Sequence, residues 1–210
     1  MFYQEQGETA LRFGDVLRGF VLTASSVKNP ELIGSRGYSI TVETPIYSVV
    51  LSPCCSIGDK VISLTPLVPL RARFFDNPYF VADLTRINRR MAPEQTLSLD
   101  EWQQLPPERR QTLESEGDAY AFLELFVYEQ HGLFTEYPVH RKAGDVNTKY
   151  YMIDFRNTHK VNCDKIASAK QSPLNLKCLQ LSVSTRADLR EKLAFYYGRA
   201  APEDEALLDE

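Results

Sequence analysis

No stretch of the sequence approaches the roughly 18 consecutive apolar residues that a membrane-spanning helix needs. Met1-Phe2-Tyr3-Gln4-Glu5 also lacks the charged, then apolar, order of a secretion signal. A cytoplasmic chain with no membrane partner is expected. Cysteine is sparse: of four, Cys54 and Cys55 are adjacent, and Cys163 and Cys178 stand far off. That makes a poor disulfide framework and lacks the paired ligand spacing of structural zinc, so reduced thiols and no metal are expected. Phosphate-cradling glycine loops and dinucleotide fingerprints are missing too, which leaves no cofactor indicated. Basic charge is not in excess either: 24 Lys and Arg stand against 28 Asp and Glu, a net charge of -4, with acidic residues gathered between Glu203 and Glu210. The balance argues against a general phosphate-binding surface but leaves room for a local one.

What is present is a globular composition, 43% hydrophobic and 25% charged over 210 residues, which fits one domain with a sizeable core. The first third reads as strands. Val16, Phe20, Val21 and Leu22 predict one strand within Phe13 to Val27, opened by the Gly14-Asp15 turn. Tyr38 to Val42 alternates with period two, and Ile46 to Leu51 is a β-branched run bounded by Pro45 and Pro53. A fourth strand, Lys60 to Leu64, is expected to stop at Thr65-Pro66, because proline cannot donate to a central ladder. Between the last two lies the apolar loop Ser52-Pro53-Cys54-Cys55-Ser56.

From Arg71 to Asn147 the character changes, and the segment reads as a mixed insertion. Ser98 with Glu101 forms a capping box ahead of Trp102, and Pro106-Pro107-Glu108 opens a second helix running to about Ser115. Tyr120 to Tyr137 predicts a hairpin, with Leu123, Leu125 and Val127 on one face and Gly132 near the turn. Strand character returns at Lys149 to Phe155 and at Leu176 to Leu181. A C-terminal helix over 184–199 follows, with Ser184 as N-cap, Leu189, Leu193 and Tyr196 at helical spacing, and Gly198 as the stop. The expectation is a single α+β, mainly β domain: curled strands from 9–70 and 148–183, the insertion 71–147, and the closing helix.

Three sets of segments carry a family resemblance: Gly14-Asp15-Val16; Thr44-Pro45 leading into Ser48 to Pro53; and Val61 to Pro66. With Tyr151 to Val161 and Asp164-Lys165-Ile166, they cover roughly half the chain and resemble the order of elements in the MazF/PemK toxin family. The resemblance implies a small SH3-like barrel and a bacterial or phage setting such as defence or stress response. That family cuts RNA with an arginine before a strand and a hydroxyl after a later proline. Here Thr44 stands at the arginine position and Leu67-Val68 follows Pro66. Without that cation an RNase mechanism loses its main electrostatic stabilisation.

Cys55, with His131, His140 or His159 as partner, is a candidate nucleophile, although buried packing is the commoner role of cysteine. Thr65 or Ser63, with Arg36, Arg71 or Arg73 replacing the lost arginine, would make a rebuilt ribonuclease site. The stretch Arg71, Arg73, Phe74, Phe75, Tyr79 and Phe80, continued by Arg86, Arg89 and Arg90, has the aromatic and arginine content favoured at protein interfaces. The same residues, with Arg141, Lys142, Lys149, Arg156, His159 and Lys160, could instead stack bases and neutralise phosphates. The leading expectation is a non-catalytic binding or regulatory protein acting through a protein partner. A ribonuclease or a nucleic-acid-binding accessory protein is the alternative. The sequence carries no mark of oligomeric state.

Overall fold

The computed structural model describes residues 1–5, 10–29, 31, 37–53, 57, 61–76, 87–88, 99–116, 122, 124–141, 144–162 and 176–198, except for the side chains of residues 73, 76, 99, 100, 103 and 113–116. The described chain runs β1 (Val16–Arg18), β2 (Leu22–Val27), β3 (Tyr38–Glu43), β4 (Tyr47–Val50), β5 (Val61–Pro69), α1 (Arg73–Asp76), α2 (Leu99–Gln104) and α3 (Pro107–Glu116). It continues through β6 (Leu125–Tyr128), β7 (Tyr137–Val139), β8 (Val146–Thr148), β9 (Tyr151–Asp154), β10 (His159–Asn162), β11 (Lys177–Leu179) and α4 (Val183–Gly198). The fold is mainly β, antiparallel, with a C-terminal helix. Among the described residues no helix is long and apolar enough to cross a membrane.

Two compact units are present, Met1–Val68 with Arg156–Val183, and Pro69–Phe155 with Ser184–Glu210. In the first, β11, β1, β4, β5 and β10 lie side by side, and β2 and β3 form a separate two-stranded ribbon. Leu11, Leu17, Leu22, Val50, Ile57, Ile62 and Leu64 form its core, with Phe20 and Val161 packed at the margin. Ser52 closes the turn between β4 and β5: its hydroxyl accepts the Ser63 N–H at 2.7 Å, and Leu51 N–H donates to the Ser63 carbonyl at 2.8 Å. Cys54, Cys55 and Ser56 lie outside the described residues.

Two strand expectations are corrected here. The strand placed within Phe13 to Val27 is two strands, because Gly19 takes φ +77°, a left-handed conformation that breaks the ladder and redirects the chain. A Cβ there would meet only Leu176 methyls at 3.9 and 4.0 Å, so the cost of a side chain is conformational. Gly19→Ala is expected to lower the unfolding free energy by about 1 kcal/mol, read from the urea midpoint.

β5 also runs through Pro66 instead of stopping before it. Leu51 and Ser63 form a hydrogen-bonded pair, so along β5 the groups of Ser63, Thr65 and Leu67 turn toward β4 and those of Pro66 turn away. The missing N–H therefore removes no bond of the β4–β5 ladder.

In the second unit, the expected hairpin across Tyr120 to Tyr137 is not formed. β6 pairs with β9 (Leu125 opposite Asp154, Tyr128 opposite Tyr151), and β7 pairs with β8. The reason is burial: Leu125, Phe126, Val127 and Tyr128 are all buried and require a partner that is itself buried, which β9 supplies. The Asn88 side chain pairs both ways with Val127, each bond 2.6 Å, so one amide stands in for a strand residue on β6. Helices α2 and α3 occur where the capping box and the Pro107 start place them, although Ser98 itself lies outside the described residues. Edge-to-face contacts of Phe122 with Phe74 and Trp102, at 5.7 and 6.2 Å, knit the interior. Helix α4 buries Thr185, Arg186, Leu189 and Lys192, a face with more polar residues than the Leu189, Leu193, Tyr196 stripe implies.

Candidate functional site

The β2–β3 ribbon combines the two properties a recognition surface needs, a firm root and an uncovered apolar side. Six consecutive pairs, from Leu22 opposite Glu43 to Val27 opposite Tyr38, run without a bulge. Lys28 and Asn29 both donate their N–H to the Gly37 carbonyl at the tip, at 2.7 and 3.3 Å, and Glu31 N–H is held by the Asn29 side chain at 3.0 Å. Residues directly opposite share a face. One face therefore carries Leu22, Ala24, Ser26, Ser39, Thr41 and Glu43, and the other Thr23, Ser25, Val27, Tyr38, Ile40 and Val42.

The first face is fully buried only at Leu22. Leu22 is fully buried in the core, and Ser26 and Ser39 join their hydroxyls at 2.6 Å on the same side. On the other face Val27 is 54% exposed, Tyr38 56%, Ile40 73% and Val42 62%. Val21 and Ile46, at the ribbon's root, are exposed as well. Period-two alternation ordinarily marks a strand whose apolar side is covered. Here that side faces solvent, and contiguous exposed apolar surface is characteristic of an interaction site.

The root is fixed by polar contacts. His159, buried on β10, meets the Thr23 carbonyl through Nδ1 at 2.9 Å and the Asn157 side chain through Nε2 at 2.7 Å. A carbonyl only accepts, so Nδ1 carries the proton. Beside the root, Arg18 donates to the Tyr47 hydroxyl at 3.2 Å with its guanidinium 5.2 Å from that ring's centre, and the bond raises the guanidinium pKa further. Cys178 is also near Arg18. Burial pushes its thiol up while the guanidinium pulls it down, and burial prevails, so this thiol is not an activated nucleophile.

Among the described residues, those singled out from sequence do not assemble into one site. Cys55, Arg36, Tyr79, Phe80, Arg86, Arg89 and Arg90 lie outside the described residues, and so does the Arg73 side chain. Thr65 is fully buried, its hydroxyl donating to the Asn157 carbonyl at 2.8 Å. Arg71 is partly exposed and sits 3.7 Å from the Asp154 carboxylate. Phe74 and Phe75, read as interface aromatics, are 1% and 6% exposed, so they are core side chains. Of the possible basic face, His159 is buried, and Arg141 is turned onto the carbonyls of Gly144 and Phe75 at 3.1 and 3.2 Å.

Sequence reasoning passed over the ribbon's apolar face because alternation specifies two faces without saying which is covered. The signal lay in the opposite face, where Ser26, Ser39 and Thr41 are poor material for a core, and Ser26 and Thr41 are themselves exposed. Among the described residues no group of three or more His, Cys, Asp or Glu is placed to hold a metal. No family model, curated protein or solved structure matches this chain.

Proposed function

We propose that this chain is a non-catalytic binding or regulatory protein that works through a protein partner and is built on a small SH3-like barrel of the MazF/PemK type. The barrel reading is supported by the antiparallel row β11, β1, β4, β5, β10, in which the resembling segments are neighbours. The same likeness suggests a bacterial or phage setting in defence or stress response. The binding reading rests on one observation, the outward apolar face of Val27, Tyr38, Ile40 and Val42. That face bears no charged side chain, so its partner presents a neutral, apolar surface. Covering the part of each side chain still exposed is worth roughly 1–2 kcal/mol. The ribonuclease alternative draws little support from Thr65, whose hydroxyl is buried and already donated.

The test is retention by immobilised protein, wild type against Ile40→Asp, in extract of the native host. Because Ile40 is 73% exposed, the substitution leaves the far-ultraviolet circular dichroism unchanged. A stoichiometric protein held by the wild type and lost from the variant is the expected result. Equal retention by both, or cleavage of RNA by the purified chain, rejects the reading.

A further inference from the structure

The outer edge of β3 has the chemistry of an interface with a second copy of this chain. Lys28 and Gly37 are a hydrogen-bonded pair, so Ser39, Thr41 and Glu43 turn their backbone groups toward β2. Those of Tyr38, Ile40 and Val42 point outward, and among the described residues no strand pairs with them. These three residues also carry the exposed apolar side chains.

Natural sheets blunt such an edge with lysine, proline, a bulge or a covering element, since three open donors and three open acceptors beside apolar side chains form a template for another strand. Tyr38-Ser39-Ile40-Thr41-Val42 contains no charge and no proline, and its ladder has no bulge. The one charge of the strand, Glu43, stands at its root end.

We propose that β3 pairs antiparallel with β3 of a second copy, about a twofold axis at Ile40, joining two ribbons into one four-stranded sheet. The proposal deepens the binding reading above and rests on it, because the joined sheet doubles the apolar face available to the heterologous partner. Hydrophobic pattern selects the register. With Ile40 opposite Ile40 of the copy, Tyr38 falls opposite Val42, all outward groups are satisfied, and apolar side chains meet only apolar ones. A one-residue slip sets Tyr38 opposite Glu43 and turns the faces out of step. The arrangement is isologous and closes at two copies.

The test is sedimentation equilibrium of the full chain over a concentration series. Wild type is expected to show a monomer–dimer equilibrium. Ile40→Lys, which sets two cations together on the axis, is expected to weaken it by at least about tenfold with unchanged circular dichroism. Register is read by oxidation. Cα atoms of a hydrogen-bonded antiparallel pair are about 5.5 Å apart, within disulfide reach, so Ile40→Cys forms a cross-linked dimer beyond the wild-type background. Ser39→Cys, opposite Thr41 of the copy and on the other face, does not.

A wild type that stays monomeric overturns the proposal. So does a dimer unaffected by Ile40→Lys, or one that fails to cross-link through position 40. A monomeric wild type that still retains a partner lost with Ile40→Asp removes the second copy and leaves the binding reading intact. A dimer that retains no partner does the reverse.

Discussion

Lys177→Met is expected to destabilise the protein by about 3–5 kcal/mol, read as a fall in urea midpoint at constant slope. Asp15 is fully buried, and its carboxylate lies 2.7 Å from Lys177 Nζ, on a side chain only 9% exposed. The ammonium also donates to the Ala10 carbonyl at 2.9 Å and the Gln180 side chain at 2.8 Å. The same carboxylate accepts the Arg12 N–H at 2.8 Å, and the Asp15 carbonyl accepts Val50 N–H at 3.0 Å. The pair thus joins β11 to the start of β1 beside β4. Methionine keeps the length of the stem and removes the charge, which leaves an uncompensated carboxylate in the interior. Asp15→Asn with Lys177→Met is expected to recover part of the loss, since the buried charge goes with its partner and asparagine still accepts from Arg12. A single-variant loss below about 1 kcal/mol would mean that the pair behaves as if it were exposed.

The second large effect is a pH dependence from Lys192. Its side chain is 2% exposed on α4, and Nζ donates to the Ile87 carbonyl. Burial lowers its pKa from 10.5 to about 7, opposed by the nearby Glu124 carboxylate. Between those values the unfolded chain holds a proton that the folded chain has released. Stability therefore rises with pH across this window, by up to about 1.4 kcal/mol per unit.

Tyr137 limits the window from above. Burial raises its phenol above the usual 10, although the Leu70 N–H donated to its oxygen opposes this. Above pH about 10 the unfolded state loses that proton first, and stability falls. Urea midpoints are thus expected to climb from pH about 7 to about 10 and then turn down. In Lys192→Met the climb flattens. A wild-type profile without the climb would show that Lys192 keeps its proton in the folded state.

Much of the strand order was legible in the sequence, because β-branched runs between turn residues report local preference directly: β3, β4, β9 and β11 lie within or close to the runs that mark them. The errors were tertiary. Pro66 is tolerated inside β5 because its nitrogen turns away from β4, and β6 chooses β9 over its near neighbour because both are buried. Neither fact is local. Gly19 was visible as a glycine, but its left-handed φ depends on the ladder it interrupts. The candidate site was half legible: period two in Tyr38 to Val42 announced a two-faced strand, and local alternation does not tell that its apolar face stays exposed. Lys192 was hidden because a lysine in an amphipathic helix is ordinarily solvated, and its burial depends on Ile87 and Glu124, far away in sequence.

The Asp15–Lys177 contact also bears on the order of events during synthesis. It joins residues 162 positions apart, and β1 finds its neighbour β11 only at Lys177–Leu179. The strands made first must therefore wait, partly unpaired, until translation has passed residue 179. The second unit waits as well, since Lys192 reaches back to Ile87. Contacts this distant along the chain form slowly, since the loop between them must close before any bond rewards it. Each unit therefore needs a segment made late in synthesis, and a nascent chain halted before β11 would hold Asp15 without its counter-charge and β1 without one of its neighbours.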